Sequence, residues 1–233
     1  MKTIGLIGGT GWVSSAEYYR LINEMTNKRL GGLNFAYCVL YSLNYGDLDL
    51  CNRENDIAGV KWLLREAAVR LKSAKVDGLA LCANTTHLAF DEIQELTGLP
   101  MVHIADATGN EILKRGFRKV GLLGTKQTME MDFYQTRLKA MGIDCVVPDL
   151  PDRNYIHDVI MNELLKSEFK NESRQRFIDI MQDLLGKGAE GVILGCTEIP
   201  LLVKQEDTEI PLFDTLHIHT SAIVDFILES AKS

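Results

Sequence analysis

The chain has 233 residues, of which 46% are hydrophobic and 24% charged, and it carries a formal net charge of −7. That length buries a substantial core in one large domain or two small ones, and the composition is that of a globular protein rather than a disordered one. The acidic balance, with no run of Lys and Arg, argues against a basic nucleic-acid face and against an anionic membrane partner.

The first apolar run, Ile4-Gly5-Leu6-Ile7, breaks at Gly8-Gly9 and is too short for a signal peptide or a membrane span, so it reads as a buried strand. In chain order the expected strands are Thr3–Ile7, Ala36–Tyr41, Gly78–Cys82, Met101–Ile104, Val120–Leu123, Asp144–Val147, Gly191–Leu194 and Pro211–Phe213. Helical periodicity predicts helices over Ser15–Arg29, Asn55–Ser73, Met129–Met141, Asn154–Lys166, Ser173–Lys187 and Ser221–Leu228, with Ala105–Gly116 as a connecting helix. Short apolar strands alternating with amphipathic helices imply parallel sheets covered on both faces, an α/β protein of the doubly wound kind.

The sequence repeats itself. Ile4-Gly-Leu-Ile-Gly-Gly-Thr10 resembles Val120-Gly-Leu-Leu-Gly-Thr125, and Asp77–Asn84 resembles Glu190–Thr197 at an offset of 113. Leu99–Asp106 and Ile210–Asp214 follow in the same order. Duplication then gives two similar lobes, residues 1–110 and 111–216, with a shared cleft between them and the last segment, 217–233, free to pack back on the first lobe.

Ligands of such sheets dock outside the carboxyl ends of the strands. The repeat selects two of these ends, Leu81-Cys-Ala-Asn-Thr-Thr-His87 and Leu194-Gly-Cys-Thr-Glu198. Backbone N–H groups there, with Asn84, Thr85 and Thr197, are suited to holding a carboxylate, although Asn and Thr at such positions also cap helices. Gly8-Gly9-Thr10-Gly11 does not fit a dinucleotide fingerprint, since Gly9 and Gly11 require a third Gly where Ser14 stands. The same glycines permit a loop to approach a carboxylate closely, and Thr10 joins the candidate binding residues.

Five cysteines (Cys38, Cys51, Cys82, Cys145 and Cys196) form no CxxC pair, which points to reduced thiols in a cytosolic protein rather than a disulfide framework or a zinc knuckle. His217 and His219 form an HxH pair without an evident third ligand, so no metal is expected. His87 has two open readings, a proton carrier near the site or a packing residue. Glu198 has two as well, orienting a neighbour or complementing a helix dipole.

Ala83-Asn-Thr-Thr-His87 and Gly195-Cys-Thr-Glu198, together with Ile4-Gly-Leu-Ile-Gly-Gly9, resemble the aspartate/glutamate racemase family over nearly the whole chain. Residues 30–33, His103–Thr108 and residues 124–130 most resemble its bacterial broad-specificity amino-acid racemases. The resemblance implies a homodimer that works without a cofactor, with two thiols moving a proton on opposite faces of an amino acid's α-carbon. It also implies that Asn84, Thr85, Thr125 and Thr197 cradle the α-carboxylate, and that Arg53 and Lys166 hold the distal carboxylate of aspartate or glutamate. Ordinary solvated cations remain the other reading of those two.

Here the first acid/base position is Ala83, the repeat mate of Cys196, and a methyl group carries no proton. Cys82 is one residue away, but neighbouring strand side chains point to opposite faces. Three readings of Ala83 stay open: a replaced catalytic residue in a racemase, a single-thiol enzyme such as a decarboxylase or isomerase, and a catalytically silent amino-acid-binding protein.

Overall fold

The computed structural model describes residues 1–229; the last residues of the segment expected to pack on the first lobe, 230–233, lie outside the described residues. The elements run β1 (Thr3–Gly8), α1 (Trp12–Leu30), β2 (Tyr37–Ser42), α2 (Tyr45–Arg53), α3 (Ile57–Ser73), β3 (Gly78–Leu81), α4 (Phe90–Thr97) and α5 (Ile104–Lys114). They continue with β4 (Lys119–Leu123), α6 (Lys126–Glu130), α7 (Asp132–Ala140), β5 (Asp144–Val146), α8 (Leu150–Asn162) and α9 (Asn171–Gly186). The chain closes with β6 (Val192–Leu194), α10 (Ile199–Leu202), β7 (Leu212–Asp214) and α11 (Thr215–Leu228).

Two compact units result among the described residues, one from residues 1–103 with 219–229, the other from residues 104–218. The first holds a parallel sheet of order β2-β1-β3, the second a parallel sheet of order β5-β4-β6-β7. Their registers repeat. Gly5, Leu6 and Ile7 pair with Leu79, Ala80 and Leu81, and Gly121, Leu122 and Leu123 pair with Val192, Ile193 and Leu194. Aligning Gly5 on Gly121 therefore brings the partner Leu79 onto Val192, at the offset of 113 carried by the sequence.

The strands are near-continuous apolar runs because each sheet is covered on both faces. In the second unit Leu123, Val192 and Leu194 pack with α8 and α9 through Ile156, Phe177, Met181 and Leu184. Val120, Leu122 and Ile193 point the other way, onto Ile112, Tyr134 and Leu138 of α5 and α7. In the first unit Ile7, Leu79 and Leu81 pack on α3 through Leu64, Ala67, Ala68 and Leu71. The edge strand β2 stays partly exposed. The second half of α11 belongs to the first unit: Ile223, Val224 and Ile227 are fully buried, and the Ile227 carbonyl accepts from the Lys2 N–H at 3.1 Å.

Some expected elements differ, and α11 starts at Thr215 rather than at Ser221. Met101–Ile104 is not a strand: only a single bridge, Leu79 to Met101, forms, and Ile104 already opens α5. Pro100 just before it has no N–H for a ladder. The helix expected over Met129–Met141 breaks at Met131, whose backbone is extended (φ −85°, ψ 149°). Gln135 Nε2 donates to the freed Met129 carbonyl at 2.7 Å, which compensates for the interruption. Helix α8 starts at Leu150, before the expected Asn154, because Pro151 sits in its first turn, where a missing N–H costs nothing.

Candidate active site

In the first unit, β1 and β3 end side by side. Their register runs to Ile7 and Leu81, and the Cys82 N–H donates to the Ile7 carbonyl at 2.9 Å, so Gly9-Thr10 and Ala83-Asn84 leave from neighbouring strand ends. Gly9 has φ 92°, and a Cβ on it would lie 2.2 Å from the Leu43 carbonyl oxygen, so only glycine fits where β1 turns out of the sheet. Its N–H donates to Ser15 Oγ at 2.8 Å. Thr10 Oγ1 is buried and has no hydrogen-bond partner. A hydroxyl taken out of water without a partner costs about 1–3 kcal/mol, which a bound acceptor would recover.

After β3 the chain folds into a 3₁₀ turn, Thr85–Ala89. Thr86 Oγ1 donates to the Ala83 carbonyl at 2.8 Å, and His87 Nδ1 lies at the same distance from that oxygen. A carbonyl only accepts, so His87 carries its proton on Nδ1. Asn84 is buried and its side chain makes no capping bond to the turn, while Thr85 and Ala83 are partly exposed. Cys82 is fully buried, and burial pushes its thiol far above the ordinary range. It packs as a small hydrophobe rather than serving as a nucleophile.

Beneath this turn lies a histidine cluster that periodicity and motif spacing do not reveal. The His87 ring centroid is 4.7 Å from that of His103 and 5.5 Å from that of His219, and His103 stands 4.5 Å from Phe90. His219 Nε2 meets the Val102 carbonyl at 2.9 Å, and its Nδ1 meets the Tyr18 hydroxyl at 2.8 Å. The carbonyl fixes the proton on Nε2, so Nδ1 accepts from Tyr18. Burial lowers His219 to about 4; burial, followed by the charges of His103 and His219, holds His87 well below the usual imidazole range. The HxH pair is not a ligand set: His217 is exposed and His219 buried, as two positions apart on a helix dictate. Among the described residues no group of three His, Cys, Asp or Glu could hold a metal ion.

In the second unit, β4 and β6 end together in the same way, and a Cβ on Gly124 would lie 2.9 Å from the Gly195 carbonyl oxygen. The Gly195 N–H donates to the Leu123 carbonyl at 2.7 Å, and a Cβ on Gly195 would lie 2.6 Å from that oxygen. Cys196 and Glu198 are both buried. The Cys196 thiol donates to Glu198 Oε2 at 3.0 Å, and Thr197 Oγ1 donates to the same oxygen at 2.9 Å. Burial raises the Cys196 thiol well above its usual range, the Glu198 charge and hydrogen bond add to that, and the backbone N–H groups of Glu198 and Thr197 oppose it. Thr125 accepts from the Thr128 N–H and caps α6, so here the capping role is realised.

The two candidate cations sit after the edge strands. Arg53, the last residue of α2, has a side chain 76% exposed and pairs with Asp49 at 2.7 Å. Lys166 is exposed at the end of a 3₁₀ turn, Leu164–Lys166, that follows α8. Thr10 thus follows the strand paired with the one that leads to Ala83 and Asn84, and Thr125 follows the strand paired with the one that leads to Cys196 and Thr197, while Arg53 and Lys166 stand on solvated surface.

Two parallel sheets of matched register, each ending in a polar turn at its carboxyl edge, define a duplicated α/β protein. The Asp/Glu/hydantoin racemase family model matches residues 7–223, and the chain belongs to that family, a family of isomerases. The broad-specificity amino-acid racemase RacX of Bacillus subtilis is 26% identical over 221 residues, covering 91% of this chain and 92% of its own. Among solved structures, a candidate Asp/Glu racemase from Yersinia pestis superposes with a TM-score of 0.91 at 41% identity, covering 98% of this chain and 100% of that one. An aspartate racemase homologue from Pyrococcus horikoshii OT3 gives 0.84 at 37% identity, covering 97% and 99%.

Proposed function

We propose that this chain moves the α-proton of an amino acid without a cofactor, with Cys196 as the acid/base on one face and Ala83 at the position of the other. The observation that carries the reading is the buried Cys196 thiol at the carboxyl end of β6, hydrogen-bonded at 3.0 Å to a carboxylate. An α-hydrogen is a very weak acid, so its removal needs a base matched to the task and donors for the charge that develops on the carboxylate. Thr10, Asn84, Thr85 and Thr197 are the proposed donors, and the unpartnered Thr10 hydroxyl supports that assignment. Thr125 joins them only by giving up its cap on Thr128.

The substrate we favour is aspartate or glutamate. That preference rests on family membership and on the naming of the Pyrococcus horikoshii protein as an aspartate racemase homologue; Arg53 and Lys166, both exposed, are the proposed cations for the second carboxylate. Five free cysteines support a reducing, cytoplasmic setting; no described helix is long and apolar enough to cross a membrane. The homodimer implied by the family resemblance belongs to the same proposal.

The methyl group of Ala83 favours a second reading, in which the chain protonates one face only and acts as a stereoretentive exchanger or a single-thiol decarboxylase. Incubation of L- and D-aspartate and glutamate in deuterated buffer tests both readings. Incorporation of α-deuterium by the chain, abolished in Cys196→Ala, supports Cys196 as the acid/base. Undiminished incorporation by Cys196→Ala contradicts it.

A further inference from the structure

A thiolate is the form of Cys196 that can remove a proton, yet burial and the adjacent carboxylate favour the thiol against the backbone N–H groups of Glu198 and Thr197. The side chain is buried, and the group it touches is a carboxylate, whose negative charge a neighbouring thiolate would meet at 3.0 Å. The same carboxylate oxygen takes a second hydrogen bond, from Thr197 Oγ1, which holds it in place against the sulfur. At 5% exposed, Glu198 has little water to turn to, and a helix-dipole role does not explain why its oxygen faces the thiol. Among the described residues, the acceptor placed to take this proton is Glu198 Oε2, along the S–H···O bond.

We infer that Glu198 is the proton-holding partner of Cys196, a positioning residue that acts through the thiol. The inference rests on the proposed acid/base role of Cys196. The S–H bond breaks as an O–H bond forms on Glu198 Oε2, leaving thiolate and carboxylic acid with no change in net charge. The thiolate then takes the α-proton, S–H re-forms, and the substrate carries the electron pair as a carbanion. In the return step the thiol gives a proton to the carbon, and the carboxylic acid returns its own to the sulfur. Because sulfur and oxygen exchange protons, the hydrogen delivered need not be the one removed. Thr197 keeps the acceptor oxygen within reach throughout.

The test reads the thiol and the turnover separately. Alkylation of Cys196 by iodoacetamide, followed on its own peptide by mass spectrometry against pH, is compared for the parent, Glu198→Gln and Glu198→Asp. Removing the negative neighbour makes the thiolate easier to form, so Glu198→Gln raises the alkylation rate near pH 8 by about tenfold or more. The same substitution removes the proton acceptor, so α-deuterium incorporation near pH 7 falls by about 100-fold, the lower end of what general acid–base catalysis contributes. Glu198→Asp recovers part of both. Damaged packing does not move the two readouts in opposite directions. An alkylation profile that Glu198→Gln leaves unchanged overturns the inference, as does exchange that survives intact. If no form exchanges an α-proton, the racemase reading fails, and the alkylation profile still decides whether the carboxylate governs the thiol. Should Glu198→Gln fail to fold, the infrared S–H stretch of the parent, identified by its loss in Cys196→Ala, provides the second measure. A frequency lowered by a carboxylate acceptor supports the pairing, and that of an unbonded thiol overturns it.

Discussion

Acidification should unfold this protein through its buried histidines before its carboxylates titrate. His219 is fully buried, and its ring is committed on both nitrogens, to the Val102 carbonyl and to the Tyr18 hydroxyl. A proton on Nδ1 removes the acceptor that Tyr18 uses and places a charge beside His87. The folded value of about 4 lies below the ordinary 6.5, so as pH falls the unfolded chain binds the proton first. Stability from this group is therefore complete above about pH 6.5 and is lost as pH falls toward 4. The full loss is about 3 kcal/mol, of which roughly 2 kcal/mol is spent by pH 5. His87 is lowered in the same direction and adds to it. Urea unfolding at pH 7.5 and pH 5.0 measures the effect in the parent and in His219→Gln, whose amide can still donate to Val102 and accept from Tyr18. The parent should lose about 2 kcal/mol more than the variant between the two conditions. Equal losses refute the argument.

Thr10→Val removes a buried hydroxyl that has no partner, so the free protein should gain about 1 kcal/mol while the KM for an amino-acid substrate rises; thermal melting and steady-state kinetics read the two effects, and a destabilised variant with unchanged KM contradicts the assignment. Gly9→Ala forces a side chain into a φ of 92° and against the Leu43 carbonyl, and should cost roughly 1–3 kcal/mol in urea unfolding. A loss below about 0.5 kcal/mol would show that the β1 turn is not constrained as described.

Much of the architecture was legible because buried parallel strands announce themselves as short apolar runs, and because the chain repeats. Gly5-Leu6-Ile7 and Gly121-Leu122-Leu123 could be aligned before their partners were known, and their registers coincide. Met101–Ile104 failed for the opposite reason: an apolar run beside Pro100 reads like a strand, but burial alone is not pairing. Helix α2 escaped detection because Gly46 interrupts its pattern, while the Asn44 side chain caps its start. Among the candidate residues, Cys196, Thr197 and Ala83 stand out from motif and repeat, since strand ends are where such sheets present chemistry. The pairing of Tyr18 with His219 does not, because 201 residues separate them. Nor does the thiol–carboxylate bond, because which way Glu198 turns is decided by the bend after β6 rather than by composition.

The central claim is that this scaffold transfers protons at an α-carbon and lacks its second acid/base group at position 83. Proton NMR and optical rotation of L-glutamate and L-aspartate in deuterated buffer, with the parent and Ala83→Cys side by side, test it most directly. The account predicts that Ala83→Cys exchanges the α-proton with loss of optical activity, whereas the parent exchanges it with retention. Exchange by neither protein, or racemisation that proceeds equally in both, would contradict it.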